Sequence, residues 1–169
     1  MGFFSWLFSL SNPPELPKVT TILPDAAKNE IENGRLPILR TDTVFTQKGE
    51  KIHYIDKAIL LKDKTKRSYK SRSFGGSGPG LISGNNVHWN RGYAEPIEEV
   101  ITEQFKGILY VSNKRVIFVN KDSGFDKPYR SLSAITPYTN GIELQYGSTT
   151  YSLLVPDGEL LYKVFELVN

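Results

Sequence analysis

Cysteine is absent from this chain of 169 residues, which excludes disulfide bonds, thiolate metal ligands and a cysteine nucleophile. Histidine is scarce, because His53 and His88 are the only two. Each falls in a predicted strand, and neither stands at a spacing typical of a metal or catalytic site. We therefore expect a protein that is not an enzyme, with no catalytic residue, no metal site and no cofactor.

Long apolar runs are also missing, since no stretch approaches the roughly 20 apolar residues of a transmembrane helix. The apolar segment at residues 1–10 lacks the basic leader and the small-residue cleavage site of a signal peptide. We expect a cytoplasmic protein, with peripheral attachment to a membrane as the alternative.

Phosphate-binding glycine motifs are not found either. Residues 74–80 contain four glycines among seven residues, but they lack the Gly-Lys-Ser/Thr ending of a P-loop. Glycine at this density costs backbone order, so the segment is predicted to be a mobile loop between strands. Two short strands are predicted beyond it, at residues 81–82 and 87–89, around a turn at residues 84–86.

Aromatic residues are plentiful, with nine Phe, nine Tyr and two Trp, and these residues suit the pleated surface of a sheet. Runs of β-forming residues recur at even spacing with turn residues between them, which is typical of a sandwich or a barrel. Strands are predicted to begin near Ile38, and Pro137 is predicted to end one of them. The predicted strands are residues 51–61, 97–105, 107–112, 115–119, 129–135, 141–146 and 149–155.

The two ends of the chain carry the helical patterns. At the C-terminus, Asp157 is a predicted N-cap and the residues after it repeat at helical spacing. Their apolar stripe is Leu160, Leu161, Val164, Phe165 and Val168. At the N-terminus, residues 1–10 are predicted to form about three helical turns, and a proline-rich extended connector covers residues 11–24. A short helix is predicted at residues 26–33, with Asp25 as its N-cap and Gly34 as its stop.

A family resemblance is carried by Gly107-Ile-Leu-Tyr-Val-Ser-Asn-Lys-Arg-Val-Ile-Phe118. It resembles the strand-turn-strand of GRAM domains and related bacterial PH-like proteins, with Asn113-Lys114 at the turn, and the likeness covers residues 107–168. Upstream, the glycine-rich segment and Trp89-Asn-Arg-Gly92 are similar to those of bacterial and phage-associated proteins of uncharacterised function.

The resemblance implies a mainly β fold, a PH-like bent β-barrel of about seven antiparallel strands with a C-terminal amphipathic helix, plus short N-terminal helices. The implied domains are residues 1–37, which hold the apolar segment, the connector and the short helix, and residues 38–169, which hold the PH/GRAM-like domain. It implies no ligand, because this superfold serves lipid, peptide and protein binding.

A basic run at residues 57–72 holds seven cationic residues and only one carboxylate, Asp63. It is either a solvated edge strand, whose lysines oppose aggregation, or a surface for an anionic lipid or an acidic protein. Nucleic acid is not expected, because only Tyr69 and Phe74 are at hand to stack on bases. The candidate residues for an anionic partner are Lys62, Lys64, Lys66, Arg67, Lys70 and Arg72.

The apolar N-terminal segment is the second candidate surface. Its helix is expected to dock on the chain's own body, on a second copy or on a membrane surface, and it contains no Lys or Arg to assist membrane binding. The candidate contact residues are Phe3, Phe4, Trp6, Leu7 and Phe8. The predicted function is a non-enzymatic PH-like binding module that mediates protein–protein interaction or self-association. The alternative is a peripheral membrane protein that binds anionic lipid through residues 57–72 and 1–10.

Overall fold

The computed structural model describes the backbone of residues 2–13, 15–79 and 86–169, with the backbone alone at residues 69–79, 86–96 and 98–100. The strand predicted at residues 81–82 and most of the turn predicted at residues 84–86 lie outside the described residues. The side chains of Lys70 and Arg72, two candidates for an anionic partner, also lie outside them.

The fold is mainly β, as predicted: one seven-stranded antiparallel sheet with a C-terminal helix and two short N-terminal helices. The helices are α1 (Phe3–Phe8), α2 (Asp25–Glu32) and α3 (Gly158–Val168), with a single 3₁₀ turn at Tyr129–Ser131. The strands are β1 (Ile52–Pro79), β2 (Asn86–Ser112), β3 (Arg115–Val119), β4 (Phe125–Pro128), β5 (Ala134–Tyr138), β6 (Gly141–Tyr146) and β7 (Thr149–Leu154).

The strands lie in the order β4-β3-β2-β1-β7-β6-β5, so two meanders meet where β1 pairs with β7. This order and the C-terminal helix are consistent with the predicted bent PH-like barrel. Among the described strands, the outer strands β4 and β5 do not pair with each other, so the sheet is not closed.

The chain divides into two compact units, residues 1–62 with 103–169, and residues 63–102. The first unit contains all three helices, β3 to β7 and one end each of β1 and β2. The second contains the rest of β1 and β2, where Thr102 Oγ1 donates to Asp63 Oδ1 at 2.9 Å.

Helix α3 covers the main core of the first unit. Leu161, Val164 and Phe165 are buried there beside Ile31 of α2. The predicted N-cap is confirmed, since the Asp157 carboxylate accepts the Leu160 N–H at 2.9 Å.

Gly34 ends α2 as predicted. Its φ of 76° is left-handed backbone, and the N–H groups of Gly34 and Arg35 donate to the carbonyls of Ile31 and Glu30. This pattern satisfies the last carbonyls of the helix. Helix α2 begins at Asp25 itself, so the cap position belongs to Pro24 and not to Asp25 as predicted.

Strand β1 is buried on both faces within the first unit. Tyr54, Ala58 and Leu60 belong to the main core. Ile59 and Leu61 point the other way, where they form a second cluster with Leu154 and Phe4 of α1. Successive side chains of a strand point to opposite faces, which explains the two sets. Helix α1 covers the second face and shields it from solvent.

Several predicted boundaries are wrong for identifiable reasons. The strand predicted at residues 129–135 is a 3₁₀ turn followed by β5, and Pro137 lies within β5. Proline is tolerated there because β5 is an outer strand.

Residues 74–79, predicted as a loop, continue β1, and Gly80 lies outside the described residues. Near Ile38 there is only an isolated bridge from Leu39 to Ile52. Helix α1 has six residues instead of about three turns. None of the helices in the described part of the chain has the length and apolarity needed to span a lipid bilayer.

Candidate functional site

The segment between Leu39 and β1 holds an aromatic ring in solvent. Phe45 is 93% exposed, more than any other large hydrophobic residue of the described chain. Its neighbour Val44 points inward and packs on a third apolar cluster formed by Ile52, Tyr110 and Ile117. The segment is therefore anchored by one side chain and displays the next.

A buried carboxylate fixes the backbone of this segment. Glu50 accepts hydrogen bonds from Arg115 Nε at 2.9 Å and Nη2 at 3.2 Å. It also accepts the Ser112 hydroxyl and the Gln47 N–H, each at 2.7 Å. Arg115 Nη2 donates in addition to the Phe45 carbonyl at 2.7 Å. The guanidinium thus joins the carboxylate to the residue that carries the exposed ring.

The electrostatics of this pair favour its charged form. Burial alone would raise the pKa of Glu50, but the hydrogen bonds from Arg115, Gln47 and Ser112 and the charge of Arg115 outweigh it, so the pKa falls from 4.5 to about 2. The hydrogen bond to Glu50 raises the pKa of Arg115. Asp126 also pairs with Arg115, on its Nη1. Charged hydrogen bonds of this kind are the stronger class in proteins.

The β2–β3 turn holds the same segment from a second side. Asn113 Nδ2 donates to the Gly49 carbonyl at 3.1 Å, and its Oδ1 accepts the Lys51 N–H at 2.9 Å. Lys114 Nζ donates to the Lys48 carbonyl. Residues 113 and 114, predicted as a hairpin turn, therefore also position the segment that carries Phe45.

A groove of about 580 Å³ lies beside this segment. Arg115 and Asp126 pair with each other within its lining, which leaves Lys114 and Arg130 as its positive groups. The complete lining is Gln47, Lys114, Arg115, Asp126, Pro128 and Arg130. Phe45 and this groove are called the Phe45 site below.

The predicted basic residues lie on an extended strand. Lys62 is exposed, and its Nζ lies 5.7 Å from the centre of the Phe105 ring. Lys64, Lys66 and Arg67 are exposed on β1 within the second unit. Lys64 and Arg67 are not free, because each interacts with another group.

The predicted N-terminal contact residues separate into two groups. Phe4 and Leu7 are buried in the chain itself, and the Phe4 N–H donates to the buried carboxylate of Glu143 at 2.9 Å. Phe3 is half-buried, whereas Trp6 and Phe8 are 41% and 57% exposed. In this arrangement only the latter two present large apolar surfaces to a partner.

Of the two histidines, His53 is the one whose side chain the structure describes. His53 is buried, and its Nδ1 donates to the Pro37 carbonyl at 2.7 Å. The side chain of His88 is outside the described residues. Within the described residues, no group of three or more His, Asp or Glu side chains is placed to hold a metal ion.

Comparison of the chain with models of protein families, with curated proteins and with solved structures finds no match in any of the three. The Phe45 site was missed by sequence reasoning. Its one local signal is the apolar pair Val44-Phe45 between polar residues. Arg115, which holds it, is 65 residues away from Glu50 in the chain.

Proposed function

We propose that this chain is a non-enzymatic PH-like binding module, of bacterial or phage origin, that mediates contact with another protein through the Phe45 site. The observation that carries the proposal is the 93% exposure of Phe45 on a backbone held by Arg115, which is paired with the buried carboxylate of Glu50. A ring that is this exposed adds little buried apolar area to the fold.

The geometry has the properties of an interaction hot spot. Aromatic and arginine residues dominate binding energies at protein interfaces, particularly where they are held in place before the partner arrives. The Phe45 backbone is held by Arg115, and Val44 anchors the segment from below. A partner that covers the ring therefore gains apolar contact, and binding does not lose the conformational entropy of ordering a loop.

The charges of the groove support a proposal for the chemistry of the partner. Lys114 and Arg130 line it without a carboxylate partner in the described residues, since Asp126 is paired with Arg115. We infer a partner segment with an apolar side chain that covers Phe45 and with acidic residues that reach the groove. Complementary charge of this kind contributes to specificity and to the rate of association.

The proposal is tested by affinity capture from the native host with wild type, Phe45→Ser and the matched control Ile38→Ser, which removes an apolar side chain that is 63% exposed. A partner bound by the wild type and by Ile38→Ser should be lost with Phe45→Ser. With the purified partner, Phe45→Ser should weaken binding by about 2 kcal/mol, about thirtyfold. Equal affinity of the wild type and Phe45→Ser contradicts the proposal.

Charge reversal tests the chemistry assigned to the partner. Arg130→Glu should weaken binding and reduce its salt dependence, because it removes an attraction to acidic residues. Arg35→Glu is the control, since it reverses an exposed arginine that does not line the groove. If Arg130→Glu binds as tightly as Arg35→Glu, the partner is not acidic at this groove.

Peripheral binding to an anionic membrane is the second candidate, and the exposure of Trp6 and Phe8 favours it. Aromatic residues of this kind suit the interface of a bilayer. Binding to anionic vesicles at low salt that is lost in Trp6→Ser/Phe8→Ser and retained in Phe45→Ser would support the membrane function. Absence of vesicle binding at low salt rejects it.

A further inference from the structure

Three lysines from distant parts of the sequence line one groove of the first unit. Lys18 comes from the connector after α1, Lys57 from β1 and Lys106 from β2. The groove has a volume of about 280 Å³. Its other lining residues are Pro17, Val19, Thr20, Ala58, Ile59 and Gly107.

The connector wall of this groove is held in place by a buried carboxylate. Asp56 is only 2% exposed. Its Oδ1 accepts the N–H groups of Ile22 and Lys57 at 2.7 and 2.9 Å. Its Oδ2 accepts the Thr21 hydroxyl at 2.7 Å. The connector is therefore fixed against β1 at Thr21 and Ile22, immediately after Thr20, before any ligand binds.

The lysines of the groove have no acidic counterpart in its lining. None of the lining residues is an Asp or Glu. Among the described residues, no carboxylate forms an ion pair with any of the three lysines, and Lys57 Nζ has only the Thr20 hydroxyl, at 3.4 Å. Three lysines in the lining of one concave surface raise the local positive potential and concentrate anions there.

We propose that this groove binds a phosphate group, such as a phosphomonoester or a pyrophosphate. Lysine ammonium groups bind phosphate as point charges that donate hydrogen bonds. The Thr20 hydroxyl adds a neutral donor, and Pro17, Val19 and Ile59 supply an apolar wall for the rest of the ligand. The groove shares no lining residue with the Phe45 site. Of the cationic residues in the basic run, Lys57 is the one that lines the groove, together with Lys18 and Lys106.

The test is an NMR titration of ¹⁵N-labelled full-length protein with sodium pyrophosphate at constant ionic strength. Saturable shifts are expected at residues 18–20, 57 and 106–107. Lys57→Gln/Lys106→Gln should weaken the affinity by about tenfold or more, because it removes two charge-assisted contacts. Lys121→Gln is the control of equal chemistry at an exposed lysine outside the groove. Circular dichroism melting shows that each variant is folded.

Two further arms identify the source of the phosphate and separate this proposal from the proposed function. Vesicles with a phosphorylated headgroup, bound through Lys57 and Lys106 and released by pyrophosphate, identify a lipid. Saturation by pyrophosphate without vesicle binding identifies a soluble ligand. Phe45→Ser should leave the titration unchanged. The proposal is overturned if groove residues show no saturable shift, or if Lys121→Gln weakens binding as much as the double variant.

Discussion

At the scale of single residues, the Glu50–Arg115 pair shows how a buried charge is tolerated. Removing a carboxylate from water is costly unless its oxygens are satisfied. Glu50 has four donors, two of which belong to one guanidinium. The same guanidinium holds the Phe45 carbonyl, so a stabilising pair also sets the position of the proposed contact residue.

Replacement of this carboxylate should destabilise the protein in a manner that depends on pH. We expect Glu50→Gln to lower the free energy of unfolding by about 2 kcal/mol at neutral pH, because hydrogen bonds to a charged acceptor are lost. The pKa of Glu50 is lowered from 4.5 in the unfolded chain to about 2 in the folded one. Its stabilisation is therefore present above the higher value and is lost as the pH falls toward the lower one.

Urea unfolding of the wild type and Glu50→Gln across this pH window measures the effect. The difference in unfolding free energy between the two proteins should shrink as the pH falls. Glu15→Gln is the matched control, since Glu15 is exposed on the connector, and it should change stability by less than about 0.5 kcal/mol. A difference for Glu50→Gln that stays constant through the window would mean that Glu50 is not held charged by Arg115.

At the scale of secondary structure elements, the predictions that rest on local sequence patterns are the ones that the structure confirms. The hairpin of β2 and β3 and the apolar stripe of α3 are confirmed, because periodicity and turn residues report directly on a buried face. In β6, Ile142, Leu144 and Tyr146 lie at alternating positions and are buried in the main core.

The elements that were missed depend on tertiary position. Pro137 reads as a strand end in the sequence, but an outer strand accepts it, and which strand is outermost is known only from the sheet order. The Phe45 site could not be predicted for a similar reason. Glu50, Asn113 and Arg115 become neighbours only through folding, and the apolar pair Val44-Phe45 by itself does not indicate that the segment is anchored.

The start of α3 offers a test of how closely elements pack. A Cβ added at Gly158 would lie 1.9 Å from the carbonyl oxygen of Tyr138 and 2.2 Å from that of Gly141. Alanine ordinarily favours a helix over glycine by about 1 kcal/mol. Here we expect Gly158→Ala to destabilise the protein by about 1–3 kcal/mol, because α3 must move away from the β5–β6 turn.

Thermal and urea unfolding measure this change. Glu159→Ala is the control in the same helical turn, because Glu159 is exposed. A Gly158→Ala protein as stable as the wild type would show that α3 does not approach the turn so closely.

At the scale of the whole molecule, α1 packs on strands that come from distant parts of the sequence. The carboxylate of Glu143 in β6 accepts the Phe4 N–H, a hydrogen bond that spans 139 positions of the sequence. The Phe4 ring packs on Ile59, Leu61 and Leu154 from β1 and β7. The first ten residues thus take part in the fold, and they bury one face of the β1–β7 pair.

Two phenylalanines of α1 differ in burial and therefore form a matched pair for testing whether α1 is docked on the sheet. Phe4 is fully buried, whereas Phe8 is 57% exposed. We expect Phe4→Ala to lower the free energy of unfolding by about 3 kcal/mol, since it leaves a cavity against β1 and β7, and Phe8→Ala by less than about 1 kcal/mol. Urea unfolding of the two variants, followed by circular dichroism, gives both values. Equal small losses would mean that α1 is not docked in solution, which would return Phe4 and Leu7 to the residues available for a membrane or a partner.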